Sequence, residues 1–422
     1  MIELFNIFFV FFSILIFLTG GILNFYNKKE VSIISIDNLS QNLVLLLSFI
    51  WIASIFDLKK ELFFIFLYSL SFLTIFYLIL TKKNFSVDAL TIFSIFVVII
   101  LSIVIANDLF LSHDSRLYWI EKAKIFYNGK FVSDDLTIKN EYPHFGTYLW
   151  GYFWKNSLID YEYTGRISYI LIYIFAISYT VNVLKSSFPI KLIIALIIIL
   201  FSYESKYFDG RQDILFFSFN LFIFRFLFEI FINKQEIKKN LILTILTMNL
   251  ILWTKTDGLL YLIVYGFILF FFLEKKIKFI SLFSILSLFV IKIYFYNFWD
   301  LSLNPSAQMY DANILQRITE IDIFYRSYSI VYWYLINLFK NPLLLISLFI
   351  LCSIYISDRR FLLKFNYIFI FYIFITLGIF ASFLPTMYDF PFAMIGSFDR
   401  IILQHSGIFL LPIIYFIAKK LK

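Results

Sequence analysis

Residues 87–106 read VDALTIFSIFVVIILSIVIA, with Asp88 as the one charged side chain. A helix crosses the roughly 30 Å hydrocarbon layer of a bilayer with about 20 mostly apolar residues, so this stretch predicts a transmembrane helix. The same rule predicts about thirteen spans along the chain. Their approximate limits are 3–25, 42–58, 62–80, 87–106, 166–184, 189–203, 214–232, 241–254, 259–273, 279–298, 331–357, 361–384 and 401–418.

The composition of the chain agrees with a membrane protein. Of its 422 residues, 61% are hydrophobic and 15% are charged, and the mean hydropathy is +0.87. Soluble domains carry about 25% charged residues, which argues against a soluble enzyme, a disordered chain and a nucleic-acid-binding protein. The apolar runs are continuous rather than alternating, which argues against a β-barrel. We therefore expect an all-α polytopic membrane protein.

The basic residues predict which span ends face the cytoplasm. Alternate connections carry 17 lysines and arginines, and Lys59-Lys60 is the clear exception on the other side. Positively charged loops stay in the cytoplasm, so we expect a protein of the cytoplasmic membrane with its N-terminus outside and its C-terminus inside. These residues are Lys28, Lys29, Lys82, Lys83, Lys185, Lys191, Lys234, Lys238, Lys239, Lys275, Lys276, Lys278, Arg359, Arg360, Lys419, Lys420 and Lys422.

The opposite, extracytoplasmic face carries the long loops 107–165 and 299–330 and six of the nine arginines. Lysine suffices for orientation, whereas a planar guanidinium binds phosphate through two N–H groups at once. The arginines therefore predict phosphate binding on this face, with a chance distribution as the alternative. They are Arg116, Arg166, Arg211, Arg317, Arg326 and Arg400.

Loop 107–165 predicts two helices at the membrane surface with a polar seam between them. The first begins near Ser115, capped by Ser112 or Asp114, and buries a face formed by Trp119, Ala123 and Phe126 while its charged residues point elsewhere. The second covers 147–156, where aromatic residues again provide interfacial anchors.

The polar seam contains the candidate catalytic groups. A carboxylate at the start of an interfacial helix could take a proton from an acceptor hydroxyl, which makes Asp114 a candidate general base. A helix cap is its structural alternative, and Asp108 is an alternative base. His113 and His144 could bind a metal together with Asp114, but hydrogen-bonded loop histidines are the more common case, and we predict no metal site from them.

Several segments of the predicted outer face resemble a known family. They are HDSRLYWIEKAKIFY at 113–127, YPHF at 142–145, DGRQDIL at 209–215, TKTDGL at 254–259 and SFDRIILQ at 397–404. In this order they resemble the bacterial GT-C-type membrane glycosyltransferases, and the resemblance extends from about residue 85 to the end. It divides the chain into N-terminal transmembrane helices (1–86) and a GT-C-like catalytic domain (87–422).

The resemblance implies transfer of a sugar from a polyprenyl-phosphate donor to a glycan, lipid or protein acceptor outside the cytoplasm. The resemblance leaves open whether the protein uses a divalent metal ion as a cofactor. The chain departs from many members by having three spans before the first loop span, which leaves donor and acceptor undetermined. The implied roles are a catalytic base at Asp114 or Asp108; donor phosphate contacts at Lys255, Arg400, Arg211 and Arg116; and substrate contacts at Lys122, Tyr142, His144, Asp213 and Asp257.

Two other functions remain as alternatives. A polysaccharide polymerase or ligase would share the span number and outward arginines, but would place its largest loop late in the chain. A transporter of lipid-linked sugars would place ionisable residues at mid-membrane within inverted repeats. Here the charges concentrate at one face, and Arg225 and Glu229, inside a predicted span at i,i+4 spacing, are expected to pair with each other.

Overall fold

The computed structural model describes residues 2–26, 31–108, 111–131, 143–301, 323–384 and 390–420. These residues are almost entirely helical and contain no β-strand beyond an isolated bridge between Ile34 and Val87. The expected all-α class is therefore confirmed for the described part of the chain. Tyr142, a predicted substrate contact, lies outside it.

Eighteen α-helices follow one another along the described residues. They are α1 (Ile2–Thr19), α2 (Ile36–Ile55), α3 (Lys60–Leu80), α4 (Ala89–Asn107), α5 (Ile120–Tyr127), α6 (Phe145–Lys155), α7 (Tyr163–Val181), α8 (Phe188–Ser202), α9 (Asp213–Phe228), α10 (Ile237–Thr254), α11 (Gly258–Phe272), α12 (Lys275–Phe298), α13 (Ile323–Lys340), α14 (Pro342–Ser357), α15 (Arg359–Leu363), α16 (Asn366–Phe383), α17 (Phe390–Ser406) and α18 (Leu410–Lys420). Short 3₁₀ segments lie at Ile22–Phe25 and Ser205–Phe208, and π-helical turns at Ser115–Trp119 and Glu229–Asn233.

Nine helical segments of the described chain are long and apolar enough to cross a membrane, which makes this a multi-pass membrane protein. The bent pair α13–α14 would add a tenth span, and α8 and α11 are shorter apolar helices. The number thirteen thus stays a prediction. The nine segments are Glu3–Phe25, Ile36–Ile55, Lys60–Leu80, Ala89–Asn107, Tyr163–Val181, Asp213–Asn233, Ile277–Phe298, Asn366–Phe383 and Ser397–Lys420.

Helices α7 and α9 form the centre of the bundle. The α7 span is 100% buried and the α9 span 89%, whereas the spans of α3, α12 and α16 are between 22% and 28% buried. The outer helices therefore present most of their Phe, Leu and Ile side chains outward, as expected for surfaces in contact with lipid tails. Within α9, Arg225 donates to Glu229, which confirms the predicted pair.

The predicted span 331–357 is two helices that meet at 90°. Pro342 begins α14 and has no backbone N–H to continue α13, while the side chain of Asn341 caps the new helix by accepting from the Leu344 N–H at 2.9 Å. The predicted span 331–357 therefore contains a sharp bend, which its continuous apolar run did not reveal.

The first long loop forms helices where they are expected, with different burial. Trp119, Ala123 and Phe126 are buried as predicted, but Lys122 on the same short helix is also buried, at 6% exposure. In α6 every residue from Phe145 to Phe153 is buried, because α5 and α7 pack against it. Helix α6 is thus a packed element of the bundle rather than the amphipathic surface helix that its sequence predicts.

Candidate functional site

The start of α9 provides the centre of the candidate site. A tight turn precedes it, in which Gly210 has φ = +96° and lies directly against the indole of Trp150. A Cβ at this position would stand 2.0 Å from the Trp150 ring, so both the backbone conformation and the close approach require glycine. The turn places Asp213, the first residue of α9, at the end of the bundle core.

Asp213 connects three helices through one carboxylate oxygen. Its side chain is 2% exposed, and Oδ1 accepts from Lys255 Nζ at 2.9 Å and from Gln404 Nε2 at 2.7 Å. Lys255 follows the last residue of α10, and Gln404 lies on α17. The ends of α9, α10 and α17 therefore meet at this carboxylate.

Lys255 lies between two carboxylates. Its Nζ is 2.9 Å from Asp213 Oδ1 and 3.2 Å from Asp257 Oδ2, and its side chain is 14% exposed. Burial alone would lower the pKa of Lys255, but the two carboxylates outweigh burial and raise that pKa above its usual value. The ammonium is thus held in its charged form at neutral pH.

Arg400 joins the first loop to this group. Its Nη1 donates to Asp114 Oδ2 at 3.0 Å, and the charge of Asp213 also acts on its guanidinium. Gln404, one helical turn after Arg400 on α17, donates to Asp213 at the start of α9, so this one helix contacts both the first loop and α9. The Asp114 side chain makes no helix-capping bond, so the guanidinium contact replaces the cap considered as its alternative role.

These residues define what we call the charged cluster: Asp114, Asp213, Lys255, Asp257 and Arg400. They come from four separated stretches of sequence and form two ion-paired groups, Asp114 with Arg400 and Lys255 with Asp213 and Asp257, whose charges act on each other. Three carboxylates face two cations. The side chains of Asp114 and Asp257 are 44% and 38% exposed, so reactants can reach the cluster.

Asp209 positions the loop that carries Asp114. Its side chain is 1% exposed, and Oδ2 accepts from the backbone N–H of Ser112 at 3.0 Å. Oδ1 accepts from Arg211 Nε at 3.2 Å. Arg211, predicted to contact the donor phosphate, therefore forms an ion pair with Asp209 beside the charged cluster.

Other predicted site residues lie elsewhere. Asp108 ends α4, where its charge, after burial, contributes to raising the pKa of Tyr203. Arg116 is exposed on the π-helical turn. Neither residue has a described contact with the charged cluster.

His144 and Lys122 belong to a separate buried group. His144 Nε2 is 3.1 Å from Ser54 Oγ, and its ring packs edge-on against Trp253 and Trp299. Burial, aided by the charges of Lys122 and Lys292, lowers the pKa of His144 to about 3. The imidazole is therefore neutral and enclosed by aromatic rings, an arrangement typical of a packing residue, and the substrate contact of His144 stays a prediction.

Two further residues near the charged cluster were not assigned a role from the sequence. Gln404 appears inside a quoted segment without a role, although a buried amide one turn after Arg400 in an apolar span is a detectable signal. Tyr207 lies near Asp213 and Arg211; burial and the charges of Glu204 and Asp399 raise the pKa of its hydroxyl. Its sequence context offers no such signal.

The cluster has groups for proton and phosphate chemistry. Carboxylates can accept a proton, while the guanidinium and the ammonium can bind an anion. Among the described residues, no three His, Cys, Asp or Glu side chains come together in a way that could hold a metal ion. The chain matches no family model, no curated protein and no solved structure.

Proposed function

We propose that the protein is a membrane glycosyltransferase that moves a sugar from a polyprenyl-phosphate donor to an acceptor on the extracytoplasmic face of the cytoplasmic membrane. The convergence of Asp114, Asp213, Lys255 and Arg400 carries the proposal. Each lies in a separate segment that resembles the GT-C-type enzymes, and the four meet in one cluster at the end of an apolar bundle.

The donor phosphate is assigned to Arg400 and Lys255. Lys255 directly follows α10, and Arg400 lies in α17 close to the beginning of the candidate span Ser397–Lys420, where the polar head of a membrane lipid would reach both cations while its chain stays between apolar helices. As the bond between the sugar C1 and the phosphate oxygen breaks, negative charge grows on the phosphate, and two positioned cations stabilise that charge. The buried carboxylate of Asp213 holds Lys255 in place and keeps it charged.

Asp114 is assigned as the general base. In the resting protein its carboxylate is paired with Arg400. When the donor phosphate takes the guanidinium, the carboxylate is available to accept the proton of an acceptor hydroxyl. The acceptor oxygen then forms the new bond to C1, and the polyprenyl phosphate leaves with the electron pair of the broken bond. Asp108 remains the alternative base.

Deletion of the encoding locus tests the function. Mass spectrometry of envelope glycans and lipid-linked intermediates should show loss of one sugar and accumulation of its polyprenyl-phosphate donor. Single repeat units without long chains would instead indicate a polymerase or ligase. Unchanged glycans would contradict the transferase and favour a transporter.

Complementation with variants tests the residues. Asp114→Asn removes the charge at nearly constant volume and should abolish sugar addition while membrane levels stay normal. Glu121→Gln is the matched control, because Glu121 lies on the next helix and pairs with Lys124 on the surface. Full sugar addition by Asp114→Asn, together with loss of sugar addition in Asp108→Asn, would identify Asp108 as the general base instead.

A further inference from the structure

A cavity of about 330 Å³ opens next to the charged cluster, between the ends of α8 and α13, the start of α14 and one side of α17. Six of its ten lining residues are polar or charged even when tyrosine is counted as hydrophobic, which is unusual in a chain whose composition is 61% hydrophobic by the same count. Pockets that bind small molecules start at about 300 Å³, so this volume accommodates one or two sugar rings.

Helix α17 connects the cavity to the charged cluster. Asp399 and Leu403 line the cavity, whereas the adjacent Arg400 and Gln404 contact Asp114 and Asp213. Asp399 Oδ1 also accepts from the backbone N–H of Arg400 at 2.6 Å. A molecule in the cavity would therefore contact α17 residues whose direct neighbours in sequence hold the groups assigned to the transfer reaction.

The cavity lining is suited to hydroxyl groups. Glu204 and Asp399 supply carboxylates, and each carboxylate has about four acceptor positions, so existing partners leave capacity for more. Asn337 is 3% exposed and donates its amide N–H to the Trp333 carbonyl at 2.9 Å, and its amide oxygen adds a further acceptor to the lining.

The charges of the lining disfavour an anion. Among the described lining residues, the two carboxylates outnumber the one ammonium, Lys340, so these residues together carry a net negative charge. A phosphate or an acidic sugar would be repelled, whereas neutral hydroxyl groups could donate to the carboxylates and to the Asn337 oxygen.

We propose that this cavity binds a neutral, hydroxyl-rich carbohydrate and that this carbohydrate is the acceptor. Binding of the carbohydrate follows from the cavity itself, whereas its role as acceptor rests on the proposed function. The hydroxyl to be glycosylated would leave the cavity along α17 towards Asp114, and the polar lining would hold the rest of the sugar.

Saturation-transfer NMR on the full chain in lipid nanodiscs tests the proposal. The probes are the methyl glycosides of glucose, galactose and N-acetylglucosamine, with methyl glucuronide as the anionic comparison and empty nanodiscs as background. At least one neutral glycoside should bind, and the glucuronide should bind more weakly. The absence of a signal for every neutral probe, or tighter binding of the glucuronide, would overturn the proposal.

Two variants locate the binding. Glu204→Gln combined with Asn337→Leu should weaken binding by about tenfold or more, since it removes a charged acceptor and an amide acceptor. Glu121→Gln should bind as the wild type does, because Glu121 pairs with Lys124 on the surface and does not line the cavity. Wild-type affinity in the double variant would show that the carbohydrate binds elsewhere.

The two proposals can fail separately. Cavity-dependent sugar binding in a protein whose deletion leaves envelope glycans intact would retain the carbohydrate site and reject the transferase. Loss of a sugar on deletion, fully restored by a double variant with wild-type glycoside affinity, would retain the transferase and reject the cavity as its acceptor site.

Discussion

Asp213→Ala tests whether a buried ion pair holds the charged cluster together. The side chains of Asp213 and Lys255 are 2% and 14% exposed, and removal of one partner of such a pair costs about 3–5 kcal/mol. Asp257 stays 3.2 Å from the same ammonium, but it is 38% exposed, and exposed pairs contribute about 0–1 kcal/mol. We therefore expect Asp213→Ala to lower the free energy of unfolding by about 3–4 kcal/mol.

A double-mutant cycle with Lys255→Met isolates the pair. Lys255→Met alone leaves the buried carboxylate of Asp213 without its partner, whereas the double variant removes both charges. The losses of unfolding free energy in the two single variants should therefore not add. We expect a coupling energy of about 2–3 kcal/mol. The measurement is reversible unfolding in mixed micelles with increasing dodecyl sulfate, followed by tryptophan fluorescence.

The surface pair Glu121–Lys124 is the matched control for this cycle. Its nitrogen and oxygen are 2.7 Å apart, but the two side chains are 40% and 46% exposed. Its coupling, measured with Glu121→Ala and Lys124→Met, should stay below about 1 kcal/mol. Equal coupling energies for the two pairs would refute the reasoning, because burial would then have no effect on the Asp213 interaction.

Three further predictions concern single residues. Gly210→Ala should destabilise the protein by more than about 1 kcal/mol in the same unfolding assay, because its positive φ and its contact with Trp150 leave no room for a Cβ; an unchanged midpoint would contradict this account. Burial and two nearby lysines hold the pKa of His144 at about 3, below its unfolded value near 6.5, so the stability due to the neutral ring is complete above pH 6.5 and declines as the pH falls towards 3. Between pH 7 and 5 the wild type should lose about 2 kcal/mol more than His144→Gln, and parallel losses would contradict burial of the ring. Arg400→Lys keeps the charge but loses the guanidinium fork, so sugar addition by the complemented strain should fall by about tenfold or more, and wild-type addition would remove Arg400 from the donor site.

The sequence predicted those features that depend on local pattern. Continuous apolar runs located the helices, and charged residues at their ends predicted that Asp114, Asp213, Lys255 and Arg400 share one face. Their contacts agree, because helices that cross an apolar layer bring such ends to a common level. The i,i+4 spacing likewise predicted the pair of Arg225 and Glu229.

The remaining features depend on packing between distant segments. Gln404 contacts a carboxylate that lies 191 positions earlier in the chain, and no local pattern encodes that distance. An amphipathic pattern shows that one face is apolar, but it does not distinguish a lipid surface from a protein neighbour, so α6 and Lys122 were expected at the surface and are buried. The helix break before Pro342 became evident only in the structure, where the side chain of Asn341 caps the new helix.

The burial of α7 has a consequence for the biogenesis of the protein. Its span is the least apolar of the nine candidates, and all of it is enclosed by neighbouring helices. A span with many hydroxyl side chains and a buried arginine gains little from lipid alone, so it leaves the translocon less readily than the strongly apolar α4 before it. Stable insertion of α7 therefore depends on helices already in the bilayer, and on α9, which is synthesised after it. A ribosome stalled between these two helices would hold an intermediate whose central helix still lacks its packing against α9.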